Sequence, residues 1–394
     1  MNILLNIPNL KKEDGGIYQY SLALLKILTK EANDHTFFVY ITTEIEDVNA
    51  ILSSVSNAEI AQVQKPKYST FETLLYKILN KIFSKFNLKK RWKKKDVYDL
   101  IIKKYSIDII HTPTQSVVKR KGVKSISTLH DVQELYYPQF FNSSQRAYRA
   151  ANHKNAIDNA DVVVVSYDHV KKDIHKYFDK PIDQIQTVLL DMNDLWFNKF
   201  ILHPPNFINT YKIHGPFLLY PASTWEHKNH LTLIKALKAL DDPNILLICT
   251  GHPTTYYEKV LKPFIDSHGM NEQVKFIGIV SDEELFELYK SCLAVVVPTL
   301  YEAGSFPLME SILLGVPVIC ANTTSLPETI GNPKFVFEPT NTSDMVDKLN
   351  KICTNDVYRK ENLMQGEKQA TLLRNNNAGQ KFDAIYKSMV NGAS

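Results

Sequence analysis

The run LAVVVPTLYEAGSFPLMESILLGVPVICAN constrains the fold more than any other part of this chain, because it holds one complete βαβ unit. LAVVVP predicts a buried parallel strand, Pro307 a first-turn helix residue, Gly315 the helix stop, and VPVIC a second strand. In that arrangement Glu302 sits in the loop, the backbone N–H groups of residues 305 to 308 are unpaired, and Glu310 falls in the first helical turn. All would face the carboxyl edge of the sheet, where open α/β sheets bind their ligands. A helix start suits a diphosphate, and a carboxylate accepts from paired sugar or ribose hydroxyls. A nucleotide sugar carries both groups.

The same alternation extends along the chain. NILLNI, FFVYI, IDIIH, KSISTLH and DVVVV read as strands of a first half, and FLLYP, NILLICT, VKFIG, AVVVP, PVICA and FVFE as strands of a second. Helices are predicted near 229–240, 255–267, 282–290, 307–314 and 341–352. The 394 residues exceed what one core usually serves. Two doubly wound α/β domains are therefore expected, over 1–200 and 208–375, with the polar, proline-bearing NDLWFNKFILHPPNF between them. Residues 376–394 are expected to form a helix packing back on the first domain. No GxGxxG follows the first strand and no Walker lysine pattern is present, which argues against NAD enzymes and P-loop NTPases. The glycine pair Gly15-Gly16 fits either a close ligand approach or a tight turn.

Cys249, Cys292, Cys320 and Cys353 match neither a zinc pattern nor a disulfide framework and read as reduced thiols. The N-terminus lacks a basic leader and reads as a first strand, and no segment approaches the ~18–20 apolar residues of a membrane span. A cytoplasmic protein is expected, with peripheral docking at the inner face of the cell membrane. The formal charge of +4 hides an asymmetry: residues 65–104 hold 13 basic and 3 acidic residues, +10, leaving −6 for the remainder. Within this insertion, residues 77–95 place Lys77, Lys81, Lys85 and Lys89 on a helical stripe opposite Leu79, Ile82, Phe83 and Phe86. An anionic membrane surface fits this pattern better than nucleic acid, for which no motif is present; a solvated helix face is the plain alternative.

Taken together, GGIYQYSLALL, STLHDVQELYYPQFF, ADVVVVSYDHVKKDI, YPASTWEHKNHLTLIKAL, VKFIGIVSDEELFELY, YEAGSFPLMES and GVPVICANTTSLPETIG resemble, in order, the retaining GT-B glycosyltransferases of family four (glycosyl transferases group 1). The resemblance covers nearly the whole chain. It implies two Rossmann-like domains facing a cleft, a nucleotide-sugar donor (UDP- or GDP-sugar) held mainly by the second, and a saccharide or lipid-linked acceptor on the first. It further implies a metal-independent hexosyltransferase without a cofactor, at work in surface polysaccharide or glycolipid assembly. Glu302 would contact the transferred sugar and Glu310 the ribose. The backbone near Ser305, Phe306 and Leu308 would meet sugar and diphosphate, and Lys228 would neutralise phosphate charge. Ser223, Gly251 and Ile279 would line the donor pocket, Ile279 near the base, and His130 would approach the transferred sugar. Gly15, Gly16 and Asp131 would flank the cleft. Two departures stand out: Ser223 replaces a frequent arginine, and Ala303-Gly304-Ser305 replaces a more glycine-rich turn. A nucleotide-sugar epimerase and a non-catalytic nucleotide-sugar-binding subunit are the alternatives on the same fold.

Each site residue has a plain role beside the functional one. Glu310 could complement the helix dipole, His130 could be a packed histidine, and Asp131 could cap the next helix. Glu226, His227 and His230 form a tempting metal cluster, but only one carboxylate accompanies the two histidines and the stretch overlaps the phosphate-binding segment. No metal is expected.

Overall fold

A computed structural model gives the fold and describes residues 1–394 apart from 13–15, 33, 65–68, 70, 71, 73, 76, 77, 80, 82–95, 194, 203–210, 212 and 392–394. The first sheet contains β1 (Asn2–Asn6), β2 (Thr36–Tyr40), β3 (Ala58–Ile60), β4 (Ile109–Thr112), β5 (Lys124–Thr128), β6 (Val162–Val165) and β7 (Ile185–Thr187), ordered β3-β2-β1-β4-β5-β6-β7. The second contains β8 (Phe217–Pro221), β9 (Leu246–Thr250), β10 (Val274–Phe276), β11 (Ala294–Val297), β12 (Val318–Ala321) and β13 (Val336–Phe337), ordered β10-β9-β8-β11-β12-β13. Both are parallel and Rossmann-like. Leu4 pairs with Phe38 on one side and Ile110 on the other, and Val296 pairs with Ile319. Runs such as VVVV in β6 and AVVV in β11 suit this, because strands covered on both faces need apolar, β-branched side chains throughout.

By contacts the chain divides into Met1–Leu129, Asn152–Val164 and Gly379–Ser394 as one unit, and His130–Ala151 with Val165–Ala378 as the other. In the first, the helix Ala378–Asn391 brings Tyr386, whose hydroxyl lies 2.9 Å from Nδ1 of the buried His111 on β4. In the second, Leu218, Leu219, Leu247, Ile248, Val295, Val296, Ile319 and Leu308 are fully buried in one continuous core.

The βαβ unit forms as its residues dictate. The helix Phe306–Leu314 starts after Ser305, has proline in its first turn and ends at Gly315 with φ 67°. One expectation needs correction: Glu310 is the fifth residue of this helix, beyond its first turn, so the dipole gives it no role there. The short edge strands β3 and β7 had no clear sequence signal. Among the described residues no helix is long and apolar enough to cross a membrane. Most of 77–95, and Gly15, lie outside the described residues.

Candidate functional site

In the second sheet the strand order reverses at β8, which lies between β9 and β11. The carboxyl ends flanking such a switch point are where open sheets place ligands. The segments leaving β8 and β11 there carry Lys228 and Glu302. A 3-10 turn, Glu226–Lys228, is pinned from several directions. Tyr220 Oη donates to the Lys228 carbonyl at 3.0 Å, and the His227 carbonyl accepts from Leu300 N–H at 2.8 Å and Thr299 Oγ1 at 3.0 Å. Asn229, in the left-handed region at φ 60°, donates from Nδ2 to the carbonyls of Pro298 and Pro339, both at 2.9 Å. With the turn tied to the loop after β11, Lys228 Nζ reaches Glu302 Oε1 at 2.6 Å. The two side chains are only 18% and 12% exposed. The Glu302 backbone is fixed in turn: its carbonyl accepts from Thr324 Oγ1 at 2.6 Å and Ser325 Oγ at 3.0 Å.

The loop then enters the helix start. At Gly304 a Cβ would meet the Tyr167 ring at 3.2 Å, a tight contact that the ring would have to relieve by a few tenths of an ångström. Ser305 is 1% exposed, occupies the N-cap position, and makes no capping hydrogen bond; its Oγ has no partner in the structure. A buried hydroxyl without a partner is costly and asks for an explanation. It stands beside the first-turn N–H groups of Phe306 and Leu308, which have no intrahelical acceptor; the run of N–H groups expected over residues 305 to 308 is broken at Pro307, which has none. The Phe306 ring is exposed and the Leu308 side chain belongs to the core.

A second corner lies at the ends of β8, β9 and β10. Gly251 has φ 104°, and a Cβ there would come within 2.7 Å of the Ser223 nitrogen, so only glycine fits. The His252 N–H donates to Ser223 Oγ at 3.2 Å, and the Gly251 N–H to the Gly278 carbonyl at 2.7 Å. The next residue, Ile279, is 76% exposed. Ser223, Gly251 and Ile279 are thus brought together.

Glu310 is 8% exposed and its carboxylate is engaged: Trp196 Nε1 donates to Oε1 and Tyr289 Oη to Oε2, each at 2.7 Å. Burial raises its pKa, partly offset by these two donors. Sequence reasoning missed both partners. The available signal was a tryptophan beside two phenylalanines in a polar linker; Trp196 packs edge-on against Phe197 at 5.3 Å.

His130 and Asp131 follow β5 and belong by contacts to the same unit. Their neighbour Val132 donates its N–H to Tyr301 Oη at 3.2 Å, which sets this segment beside the residue preceding Glu302. Asp131 Oδ1 accepts from the Gln133 N–H at 3.0 Å, but the N-cap of the short helix Gln133–Tyr136 is Val132, with no side-chain capping bond; Asp131 also pairs with Arg149, which reaches Glu134 at 2.9 Å. Gly16 opens the helix Gly16–Glu31 of the first unit, where a Cβ would meet nothing within 4 Å. The metal-like cluster disperses. His230 is fully buried against the Tyr220 ring at 4.6 Å, whereas His227 faces Phe140 at 5.9 Å. Desolvation lowers their pKa values to about 3 and about 4, so both are neutral near pH 7. Among the described residues no three His, Cys, Asp or Glu side chains converge as a metal site.

Residues 208–370 match the family described as Glycosyl transferases group 1. Over 347 residues the chain is 25% identical to O-antigen chain mannosyltransferase RfbU of Salmonella typhimurium (strain LT2), covering 86% of this chain and 87% of that protein. It is 24% identical over 273 residues to O-antigen chain mannosyltransferase B of Escherichia coli, covering 68% and 71%. Among solved structures, the fold is similar to a sucrose-phosphate synthase from Thermosynechococcus elongatus, with TM-score 0.65, 16% identity and all of both chains covered. It is also similar to a glycosyltransferase from Rickettsia africae, with TM-score 0.63, 18% identity and 99% and 98% of the chains covered.

Proposed function

We propose that this chain, which belongs to the group 1 glycosyltransferases of GT-B fold, moves a hexose from a nucleotide-sugar donor to a hydroxyl of a saccharide or lipid-linked saccharide, with retention of anomeric configuration. One observation carries the reading. The Lys228–Glu302 pair lies in the same loop and turn assembly as the buried, unpartnered Ser305 hydroxyl at an open helix start. A cation, a carboxylate, a free hydroxyl donor and helix N–H groups complement a diphosphate joined to a sugar. Mannose is the first sugar to test, because the relatives above are named mannosyltransferases.

In this reading the bond between the anomeric carbon and the phosphate oxygen breaks, and its electron pair leaves on the diphosphate. Lys228 Nζ, Ser305 Oγ and the N–H groups of Phe306 and Leu308 stabilise that growing charge. Glu302 holds sugar hydroxyls, and Glu310 offers its remaining lone pairs to the ribose. The acceptor oxygen attacks from the face the phosphate leaves, and its proton passes to a departing phosphate oxygen. No side chain acts as nucleophile, and no divalent ion is assigned. The basic residues 77–95 would seat the protein on an anionic membrane surface.

The experiment is product analysis with GDP-mannose, UDP-glucose and UDP-galactose offered against methyl mannoside and short oligosaccharides. The expected result is an acceptor extended by one hexose, whose anomeric NMR signals match the configuration of the donor. An inverted product overturns retention. An epimerised free donor without any extended acceptor overturns the transferase reading.

A further inference from the structure

A groove of about 490 Å³ opens on the second unit, beside the turn that carries Lys228. Its size falls within the ~300–1,000 Å³ of small-molecule sites. Its lining includes Phe140, Gln139, Trp225, His227, Gln133 and Tyr256, with the Phe140 and His227 rings 5.9 Å apart. Trp225 is 55% exposed, an unusual placement for so large an apolar ring. Its backbone is nevertheless locked. The Trp225 N–H donates to the Ser223 carbonyl at 2.8 Å, and the Thr224 N–H to the His252 carbonyl at 3.1 Å. Thr254 N–H and Oγ1 then clasp the Thr224 hydroxyl and carbonyl at 2.7 and 2.6 Å. The segment that carries Phe140 is also braced, since Arg146 donates to the carbonyls of Pro138 and Phe141 at 2.9 and 2.8 Å. Both ring-bearing segments are thus held by hydrogen bonds to their backbone.

The chemistry of the lining selects an occupant. Aromatic faces suit the C–H face of a pyranose, and glutamine amides both donate to and accept from its hydroxyls. Among the described residues the only full charges on the lining are Glu226 and Lys259, which offset each other, and desolvation keeps His227 neutral. A phosphate-bearing headgroup or a nucleic acid would meet no net positive charge there. The groove also abuts the donor site, because Glu226 and His227 belong to the same turn as Lys228.

We propose that this groove is a subsite for a neutral saccharide chain, with Trp225 as its stacking platform, holding sugar units of the acceptor beyond the one that receives the transferred hexose. It rests on the transferase reading above. The test uses the full chain and intrinsic fluorescence, since Trp225 is one of three tryptophans and the exposed member of the Trp196–Trp225 pair. The probes are α-linked mannotetraose, maltotetraose and chitotetraose. At least one is expected to change the emission, and Trp225→Ala to weaken its binding by roughly tenfold, with Trp225→Phe restoring most of it. GDP or UDP affinity is expected to persist in both variants, which also reports that they are folded. Turnover should mirror this: the advantage in KM of a tetrasaccharide over a monosaccharide acceptor collapses in Trp225→Ala. Binding of no tetrasaccharide, or equal binding by Trp225→Ala and the parent, overturns the groove. If tetrasaccharide binds through Trp225 but no nucleotide binds and no hexose is transferred, the transferase reading fails and the groove stands.

Discussion

At the scale of single residues, the buried Glu310 is the informative case. Each oxygen accepts one hydrogen bond, from Trp196 or Tyr289, which leaves a second acceptor position on each for a ribose diol. Trp196→Phe removes a donor and frees the carboxylate to turn. We expect the preference for a ribonucleotide over its 2′-deoxy analogue to shrink by roughly fivefold to tenfold, consistent with one charge-assisted hydrogen bond. Titration calorimetry with GDP and 2′-deoxy-GDP checks this, and an unchanged preference contradicts it. Lys228 is the matching case for the diphosphate. On the proposal that it and the helix start supply the positive charge, transfer is expected to survive EDTA, whereas complete loss restored by a divalent ion would contradict that assignment. Histidines supply a pH signature. Desolvation lowers the His169 and His227 pKa values from 6.5 to about 4. The unfolded chain therefore takes up protons first as pH falls, and stability present above 6.5 is lost on the way to about 4. The loss is at most roughly 3 kcal/mol per histidine. Replacing His169 by Leu is expected to flatten the fall in Tm between pH 6.5 and 5, as read by calorimetry; an unaltered slope contradicts a histidine origin for the fall.

At the scale of elements, the segment from β11 through the helix Phe306–Leu314 separates binding from stability. An N-cap serine normally contributes about 1 kcal/mol through its hydroxyl. Ser305 makes no such bond and its buried hydroxyl has no partner, so Ser305→Ala is expected to leave Tm unchanged or raise it while weakening nucleotide diphosphate binding several-fold. A clear loss of Tm with intact binding would return Ser305 to a purely structural role. Gly251→Ala is the converse. Its positive φ and the Ser223 backbone 2.7 Å from the added carbon predict a loss of roughly 1–3 kcal/mol and a displaced Ser223 corner. Much of this was legible in the chain. LAVVVP, Pro307, Gly315 and VPVIC each marked one feature of the unit, because strand burial, first-turn proline and a left-handed stop are local rules. Position within the helix was not: Glu310 looked like a first-turn residue because the helix start depends on the loop ahead of it. Its partners Trp196 and Tyr289 were invisible, since they lie 114 and 21 residues away in sequence and meet it only through packing.

At the scale of the whole molecule, two parallel sheets and a candidate site at a carboxyl sheet edge could be anticipated from alternating apolar runs and ordered motifs, whereas the strand order that makes β8 the switch point could not. Nor could the assignment of His130–Ala151 to the contact unit of the second sheet, because it rests on aromatic contacts such as Tyr136 and Tyr137 with Tyr301 at 5.7 and 6.3 Å. Residues 77–95, with lysines at 77, 81, 85 and 89 in the sequence, give the protein a further whole-molecule property to test. Co-sedimentation with anionic vesicles is expected at low salt, and is expected to fall when Lys89, Lys90 and Arg91 are replaced by Glu. The central claim, that Glu302 and Lys228 form the donor wall of a hexosyltransferase, is tested most directly by one rate comparison. Mass spectrometry of an oligosaccharide incubated with GDP-mannose should show one-hexose extension by the parent protein, slowed by about 10²–10³ in Glu302→Ala if the site stabilises the transition state through these groups. Equal rates for parent and variant would contradict that claim.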